Sequence, residues 1–296
     1  MQGLGFPSLN LETCDLQLAT MLRCGSFTFP LDRPLIMGVV NVTPDSFSDG
    51  GHFQNVRQAV DHALLLAEQG ADILDVGGES TRPGAAAVSI DEELQRVLPV
   101  IEALAARGLA VSADTRKPRV MQEAIKAGAV MINDVMALRE AGALETVAQS
   151  DVAVCLMHMQ NDPQTMQATP HYEDVVAEVH DFLAGRIAAC EAAGISRSRL
   201  VIDPGFGFGK TLAHNLALLK NLGRLAGLGV PVLAGMSRKS MLGALTGKPV
   251  DRREYAGIAA HLAAVARGAS IVRVHDVAAM KDALTVWQAV EGAEQE

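Results

Sequence analysis

The sequence predicts a TIM (β/α)8 barrel, a single α/β domain with a short N-terminal extension, and three observations support this. From residue 34 onward, eight short apolar segments alternate with helical patterns. Several helical patterns end in Gly-Ala where the next apolar segment begins, and no long linker interrupts the series. The chain has 296 residues, which suits one barrel of roughly 250 residues. A doubly wound open sheet is the alternative fold.

The eight apolar segments are the predicted strands. They lie near residues 35–41, 72–77, 109–113, 129–133, 152–157, 199–203, 231–235 and 270–274. Nearly continuous apolar runs of this length indicate strands buried on both faces, as in a parallel sheet that helices cover. We assign residues 34–291 to the barrel domain. Residues 1–33 are predicted to be an N-terminal extension, either irregular or a short hairpin that could plug one end of the barrel.

Helices are predicted between the strands, because apolar residues recur there at spacings of three and four. The clearest examples are Val56, Val60, Ala63, Leu64 and Ala67, and Val175, Val179, Phe182 and Leu183. Gly70-Ala71, Gly128-Ala129 and Gly268-Ala269 each end such a pattern. The glycine is expected to form a left-handed helix cap, and the alanine to allow close contact between helix and strand.

The composition excludes several classes of function. A net charge of −9 argues against a broad surface for nucleic acid or anionic membrane, since such surfaces need clustered Lys and Arg. The cysteines, Cys14, Cys24, Cys155 and Cys190, form no CxxC pair, so we expect reduced structural thiols. No apolar run reaches the ~18 residues of a membrane helix. We therefore expect a cytoplasmic protein that binds neither nucleic acid nor membrane.

The first strand leads into the most informative loop of the chain. The segment IMGVVNVTPDSFSDGG, residues 36–51, changes abruptly from apolar to polar. Pro44 prevents the strand from continuing, and Gly50-Gly51 allow backbone angles that other residues resist. A polar loop taken alone is usually an ordinary surface turn. Here, however, the same transition recurs after the later strands.

Polar residues follow each predicted strand, at the position where a barrel carries its active site. In chain order they include Asn41, Glu79, Asp114, Asn133, His158, Asp203, Lys239 and Arg273. Asp114, Asn133 and Asp203 would suit a heterocycle with adjacent N–H donors, although each could instead cap a helix. Arg82, Lys239, Arg273 and His275 could bind phosphate, although each could instead form an ion pair at the rim.

The glycine-rich segment after the sixth strand is not a nucleotide-binding loop. A P-loop ending in Gly209-Lys210-Thr211 would need glycine at the position of Pro204, and a dinucleotide fingerprint would need a third glycine at Lys210. We expect these glycines to place Phe206 and Phe208 over a planar ligand. A separate group of histidines falls on helical patterns and is assigned no role: His62, His171, His180 and His261.

These segments resemble dihydropteroate synthase, an enzyme family of the folate pathway. The resemblance covers residues 34–290 approximately and rests on NVTPDSFSDGG, DVGGESTRPGA, ADTRKP, INDV, LMHMQ, DPGFGFGK, SRKS and RVHDV. It implies a TIM barrel that joins (7,8-dihydropterin-6-yl)methyl diphosphate to 4-aminobenzoate and releases diphosphate with the help of Mg²⁺. It also implies competitive inhibition by sulfonamides and a homodimer formed through helices near the carboxyl end, for which Ala259–Ala266 would offer a face.

The resemblance also implies roles for individual residues. The pterin would be bound by Asp114, Asn133, Met157, Asp203, Phe208, Lys239 and Arg273. The diphosphate would be bound by Asn41, Thr81, Arg82, Arg273 and His275, with Asn41 also the magnesium ligand. The aminobenzoate pocket and two mobile loops would comprise Asp45, Phe47, Thr81, Pro83, Phe208, Lys239 and Ser240. The sequence departs from the family pattern at Asn161, where a glycine is expected, so the loop after strand five could differ in conformation.

The expected chemistry is dissociative, because departure of diphosphate leaves a methylene cation conjugated with an electron-rich pterin. Asp45 is the candidate for stabilising that cation when the first loop closes. Two other functions are possible: a pterin-binding homologue without synthase activity, or a barrel that transfers methyl groups to a corrinoid protein. The first should show damage in the loops or in SRKS, and the second should lack RVH and SRKS. All of these segments are intact.

Overall fold

The computed structural model describes residues 19–43, 52–80, 87–160, 166 and 170–293, with no side-chain description for 52–54. Eight parallel strands form a closed barrel, in which each strand pairs with the next in the chain and the last pairs with the first. The strands are β3 (Leu35–Asn41), β4 (Ile73–Gly77), β5 (Val111–Asp114), β6 (Met131–Asp134), β7 (Ala153–Met157), β8 (Leu200–Asp203), β9 (Val232–Ala234) and β10 (Ala269–Val274). The predicted TIM barrel is confirmed, and the open sheet is excluded.

Helices connect the strands and surround the barrel. They are α1 (His52–Glu68), α2 (Ile90–Ala105), α3 (Pro118–Lys126), α4 (Ala143–Ala148), α5 (Val175–Ala192), α6 (Leu212–Lys220), α7 (Leu222–Ala226), α8 (Ser240–Thr246), α9 (Glu254–Val265) and α10 (Val277–Glu291), with short 3-10 helices at Arg197–Arg199 and Val250–Arg252. Among the described residues, no helix is both long and apolar enough to cross a membrane.

The Gly-Ala pairs end their helices as predicted. Gly128, for example, has a φ of 104°, in the left-handed region. A Cβ atom at this glycine would lie 2.7 Å from the Cβ of Ala105 on α2, closer than two carbon atoms can approach without a shift. Glycine is therefore required both for the turn and for the close packing of the neighbouring helix.

A β-hairpin made of β1 (Met21–Cys24) and β2 (Phe27–Pro30) lies over the amino ends of the barrel strands. Leu22 and Cys24 of β1 are fully buried, in one apolar cluster with residues from the lower interior of the barrel. The backbone N–H of Gly25 donates to the carbonyl of Asp151, just before β7, at 3.0 Å. The hairpin thus closes the end of the barrel opposite the polar residues.

The described cysteines are buried in this framework and none forms a disulfide: Cys24, Cys155 and Cys190 are all free. Burial raises the pKa of Cys24 to about 12 and that of Cys190 to about 11. Both thiols are therefore protonated and unreactive at neutral pH, as expected of cysteines that serve in packing. Cys14 lies outside the described residues.

Candidate active site

The carboxyl ends of β3–β10, here called the barrel mouth, bring together the predicted polar residues. Strands end at Asn41, Asp114, Met157 and Asp203, Asn133 and Arg273 lie one residue before the ends of β6 and β10, and Lys239 and Ser240 follow β9. Five further predicted residues, Asp45, Phe47, Thr81, Arg82 and Pro83, lie outside the described residues, as does Asn161.

Arg273 joins two carboxylates at the barrel mouth. Its Nη2 donates to Asp114 Oδ2 at 2.8 Å, and its Nε donates to Asp75 Oδ2 at 2.6 Å. The same oxygen of Asp75 accepts from the side-chain amide of Asn133 at 2.9 Å. Burial lowers the pKa of Arg273, but the two carboxylates outweigh this effect and raise the pKa above its usual range. Arg273 is therefore a permanent cation inside the barrel.

The surroundings of Asp114 shift the pKa of its carboxyl group in both directions. Burial raises the pKa of its carboxyl group to about 7, the positive charge of Arg273 acts to lower it, and Asp75 raises it further. Its carboxylate is thus a hydrogen-bond acceptor whose charge changes near neutral pH.

Asp203 and Lys239 are opposite charges that act on each other at the barrel mouth without a direct ion pair between them among the described contacts. Burial raises the pKa of Asp203, against the effect of Lys239, and burial lowers the pKa of Lys239 to about 8, against the effect of Asp203. Lys239 Nζ donates to the carbonyl of Phe206 and lies 4.6 Å from the centre of the Phe208 ring. This lysine therefore holds the β8–α6 loop and places a cation beside an aromatic face.

Glycine permits a tight β8–α6 loop. Gly205 has a φ of 69°, and its N–H donates to Asp203 Oδ1 at 2.7 Å. Lys210, buried beneath the loop, donates to the carbonyl of Phe208 and to Nδ1 of His158, both at 2.9 Å. Burial, reinforced by the charge of Lys210, lowers the pKa of His158 to about 2, so its imidazole is neutral and accepts this hydrogen bond. The side chains of Asp203 and Lys210 therefore hold the loop in place through its backbone.

Replacing Gly205 with alanine is expected to displace this loop and to lower stability. The added Cβ would lie 1.9 Å from the carbonyl oxygen of His158, and backbone cannot move aside as a flexible side chain can. Gly194→Ala is a matched control, because its φ is also positive, at 86°, but no heavy atom lies within 4 Å of the added Cβ. The control should lose only about 1–2 kcal/mol of unfolding free energy. Equal losses in chemical denaturation would contradict the prediction.

The prediction for this loop is wrong for Phe206 and stays a prediction for Phe208. Phe206 is fully buried in the apolar layer between the barrel and its helices, so it cannot cover a ligand. Phe208 instead packs at the barrel mouth with a methionine-rich cluster. The cluster consists of Val135, Met136, Met157, Met159 and Met166. Thioether side chains adapt to irregular shapes, and this cluster gives the site an apolar wall next to its charged groups.

The structure corrects two predictions about histidines, one for His171 and one for His261. His171 is not in a helix but precedes α5, and its backbone forms hydrogen bonds with the side chain of Gln160. His261, assigned no role, is fully buried on α9; its Nε2 accepts from the backbone N–H of Met236 at 3.1 Å, and its Nδ1 donates to the Gly257 carbonyl at 2.7 Å. His261 therefore supports the segment that carries Lys239.

His275 lies beside this segment at the end of the barrel. Its Nδ1 is 3.0 Å from Ser237 Oγ, and its backbone N–H donates to the same oxygen. Ser237 thus connects the loop after β9 to the end of β10, and holds His275 at the rim as the sequence predicted.

Two buried carboxylates, Asp75 and Asp134, were given no individual role from the sequence. Asp75 was read only as part of a strand, although a charged residue in the apolar segment ILDVG was a usable signal. Asp134 accepts from the backbone N–H groups of Met136 and Leu138 at 2.8 and 2.7 Å, and burial raises its pKa to about 6. It stabilises a turn in which Ala137 and Leu138 have left-handed φ values of 53° and 56°, which are rare for residues other than glycine.

Comparison with known proteins agrees with this geometry. The family model described as pterin binding enzyme matches residues 37–275. The dihydropteroate synthase of Neisseria meningitidis serogroup C is 53% identical over 273 residues, covering 90% of this chain and 96% of the relative. These values are far above the level at which a shared fold alone would account for the similarity.

Solved structures give the same result. Xanthomonas albilineans dihydropteroate synthase with 4-aminobenzoic acid has 59% identity and a TM-score of 0.88, over 93% of this chain and 99% of that one. The same enzyme in complex with 7,8-dihydropteroate has 57% identity and a TM-score of 0.85, over 93% and 100%. The resemblance found in the sequence is confirmed. The chain therefore belongs to the pterin-binding enzymes and, within them, to the dihydropteroate synthase family of transferases.

Proposed function

We propose that the protein condenses (7,8-dihydropterin-6-yl)methyl diphosphate with 4-aminobenzoate, giving 7,8-dihydropteroate and diphosphate. One observation carries this proposal: a single barrel mouth brings together buried or half-buried carboxylates and cations, where Asp114 binds Arg273 and Asp203 lies within electrostatic reach of Lys239. Such a site suits a planar heterocycle that offers both donors and acceptors along its edges.

In this proposal each group at the barrel mouth binds one part of the pterin. Asp203 accepts from the amino-pyrimidine edge, and Lys239 donates to the ring oxygen and nitrogen. Asp114 and Asn133 bind the remaining polar edge, while the guanidinium of Arg273 stacks on one face. Met157 and Phe208 complete the pocket. Met157 is buried and the partly buried Phe208 packs against the same apolar cluster, which supports an environment with little water in which these hydrogen bonds are strong.

The diphosphate is proposed to bind at Asn41, Arg273 and His275, together with Thr81 and Arg82. Mg²⁺ usually keeps several waters and binds through substrate phosphates and one or two protein oxygens. The donor set fits this mode: Asn41 offers an amide oxygen at the end of β3, and no group of three or more acidic, His or Cys residues among the described residues could form a protein cage. When bound, Mg²⁺ would neutralise charge on the departing diphosphate.

The reaction is proposed to be dissociative. The bond between the methylene carbon and the diphosphate oxygen breaks, and the electron pair leaves with the diphosphate. The nitrogen of 4-aminobenzoate then attacks the methylene cation and loses a proton. Lys239, Phe208 and Ser240 would line the aminobenzoate pocket with Phe47 and Pro83, and Asp45 would stabilise the cation. Sulfonamides, which mimic aminobenzoate, should compete at this pocket.

The decisive experiment measures diphosphate release from the pterin substrate, with and without 4-aminobenzoate and Mg²⁺. We expect release with Mg²⁺ and formation of dihydropteroate only when aminobenzoate is present. Slow release without aminobenzoate would support the dissociative path, whereas strict dependence on aminobenzoate would favour direct displacement. An absence of release under every condition would contradict the proposed function.

Pterin affinity is expected to be greatest between about pH 7 and 8. Asp114, with its pKa raised to about 7, must be ionised to accept from the ligand, so affinity should fall below pH 7. Lys239, with its pKa lowered to about 8, must be protonated to donate, so affinity should fall above pH 8. The pH profile of kcat/KM reports these groups in the free enzyme.

Lys239→Arg is the control for the pH profile, because arginine stays protonated over the whole range. Its alkaline limb should disappear even if the absolute activity is lower. Persistence of that limb near pH 8 would show that another group is responsible.

We also propose that the protein is a cytoplasmic homodimer. The helix α9 is apolar around most of its circumference, with its buried side at Gly257, His261 and Ala264, whereas Tyr255 on the same helix is 82% exposed. A helix that is apolar on all sides is normally covered on all sides. A second copy packing along Ala259–Ala266 would cover it. The free thiols in the described part of the chain support a reducing compartment.

A further inference from the structure

We propose that Asp75, a buried carboxylate without a role in the family resemblance above, is a positioning residue that fixes Arg273 and Asn133 for pterin binding. This proposal rests on the proposed function, since it concerns how that site is held in shape. Asp75 lies in the middle of β4 and is fully buried.

The hydrogen bonds of Asp75 reach across the inside of the barrel. Its Oδ2 accepts from Arg273 Nε on β10 at 2.6 Å and from Asn133 Nδ2 on β6 at 2.9 Å. Neither β6 nor β10 is a neighbour of β4, because β5 and β3 lie between them. A single oxygen of Asp75 therefore connects β6 and β10, which are not neighbours in the barrel.

These contacts determine which atoms remain for the ligand. The amide of Asn133 directs Nδ2 toward Asp75, which leaves its oxygen to accept from a ligand N–H. Arg273 is held by Asp75 and Asp114. Because Asp114 is itself proposed to bind the pterin, Asp75 is the carboxylate of the two that can hold Arg273 without competing with the ligand.

The stability cost of this arrangement points to function. Asp75 Oδ1 is buried and has no hydrogen-bond partner among the described residues, and the same is true of Ser112 Oγ, its register partner on β5. A buried carboxylate with an unpaired oxygen is costly, and replacing a whole buried ion pair with well-packed apolar side chains is often neutral or stabilising. Residues retained at a cost to stability are expected at functional sites.

The test compares Asp75→Asn with Ser112→Ala, a buried neighbour at the same level of the barrel. Calorimetric titration with 6-hydroxymethyl-7,8-dihydropterin should show a roughly 10- to 100-fold loss of affinity for Asp75→Asn, the range found when a residue that orients a metal ligand is replaced. Its unfolding temperature should fall only modestly, because Arg273 keeps its ion pair with Asp114. Ser112→Ala should change affinity less than about twofold. Unfolding of Asp75→Asn, or unchanged affinity, would overturn the proposal.

A double variant tests whether Asp75 acts through Arg273. If it does, adding Asp75→Asn to Arg273→Met should weaken affinity much less than Asp75→Asn does alone, because contacting residues are energetically coupled. Full additivity of the two losses would overturn the proposal.

A measurement without ligand separates this proposal from the proposed function. In ¹⁵N NMR spectra of the free protein, the hydrogen-bonded Nε–H of Arg273 should give a slowly exchanging resonance that shifts and exchanges faster in Asp75→Asn, because an amide oxygen is a weaker acceptor than a carboxylate. A resonance unaffected by this substitution would overturn the positioning role even in an active enzyme. Failure of the wild-type protein to release diphosphate would contradict the proposed function and leave this NMR result standing.

Discussion

Lys239→Ala is expected to lower kcat/KM for the pterin substrate by about 10²-fold or more, the effect of removing a donor from a buried polar site. The substitution removes the positive charge that does most to lower the pKa of buried Asp203. It also removes the hydrogen bond to the Phe206 carbonyl and the contact with the Phe208 ring. The pterin would then lose a donor, and Asp203 would become harder to ionise. Steady-state kinetics and pterin titration measure both consequences.

The matched control is Lys220→Ala, at the exposed end of α6. It removes the same side chain from a position without a role in the site, so its activity should remain close to that of the wild type. A rate for Lys239→Ala close to that of the control would refute the assignment of this lysine to the pterin pocket.

Asp203 should be equally sensitive, and two substitutions separate its two roles. Asp203→Ala removes the carboxylate and leaves the N–H of Gly205 without its acceptor, so we expect a ~10²-fold loss in kcat/KM together with a loss of about 1–3 kcal/mol in unfolding free energy. Asp203→Asn keeps an acceptor for Gly205 but loses the charge. It should therefore retain most of the stability and still lose activity, as measured by kinetics and thermal unfolding.

Asp181→Asn on the exposed surface of α5 is the control for the change of charge. It should alter neither activity nor stability appreciably. Similar stability losses for the two Asp203 variants would show that the hydrogen bond to Gly205 is unimportant, and wild-type activity in Asp203→Asn would contradict the role of the charge.

The barrel could be predicted from the sequence because its signals are local. Apolar runs such as residues 35–41 and glycine caps such as Gly128 depend on neighbouring residues, and the strands occur where these patterns place them. The positions of Asp114, Asn133 and Asp203 at strand ends followed directly, since parallel strands of a barrel end on the same side.

Contacts across the barrel were not predictable in this way. Asp75 and Arg273 are 198 residues apart in the chain, and no local pattern indicates their contact. The direction of the Phe206 side chain was also missed. Gly205 and Gly207 on either side have left-handed φ values, and they turn the chain so that Phe206 and Phe208 pack in different clusters. For Asp45, Phe47 and the second loop, the roles inferred from family resemblance remain predictions.

The N-terminal hairpin has a consequence for the order of folding during synthesis. Its partners include Val130, which lies close to Gly25, and Asp151, so the hairpin leaves the ribosome well before these partners and must wait for more than a hundred further residues before it can dock fully. Leu22 and Phe29 would meanwhile expose apolar surface on the nascent chain. Chaperone dependence should therefore be greatest for chains stalled before residue 151 and should decline once β7 has emerged.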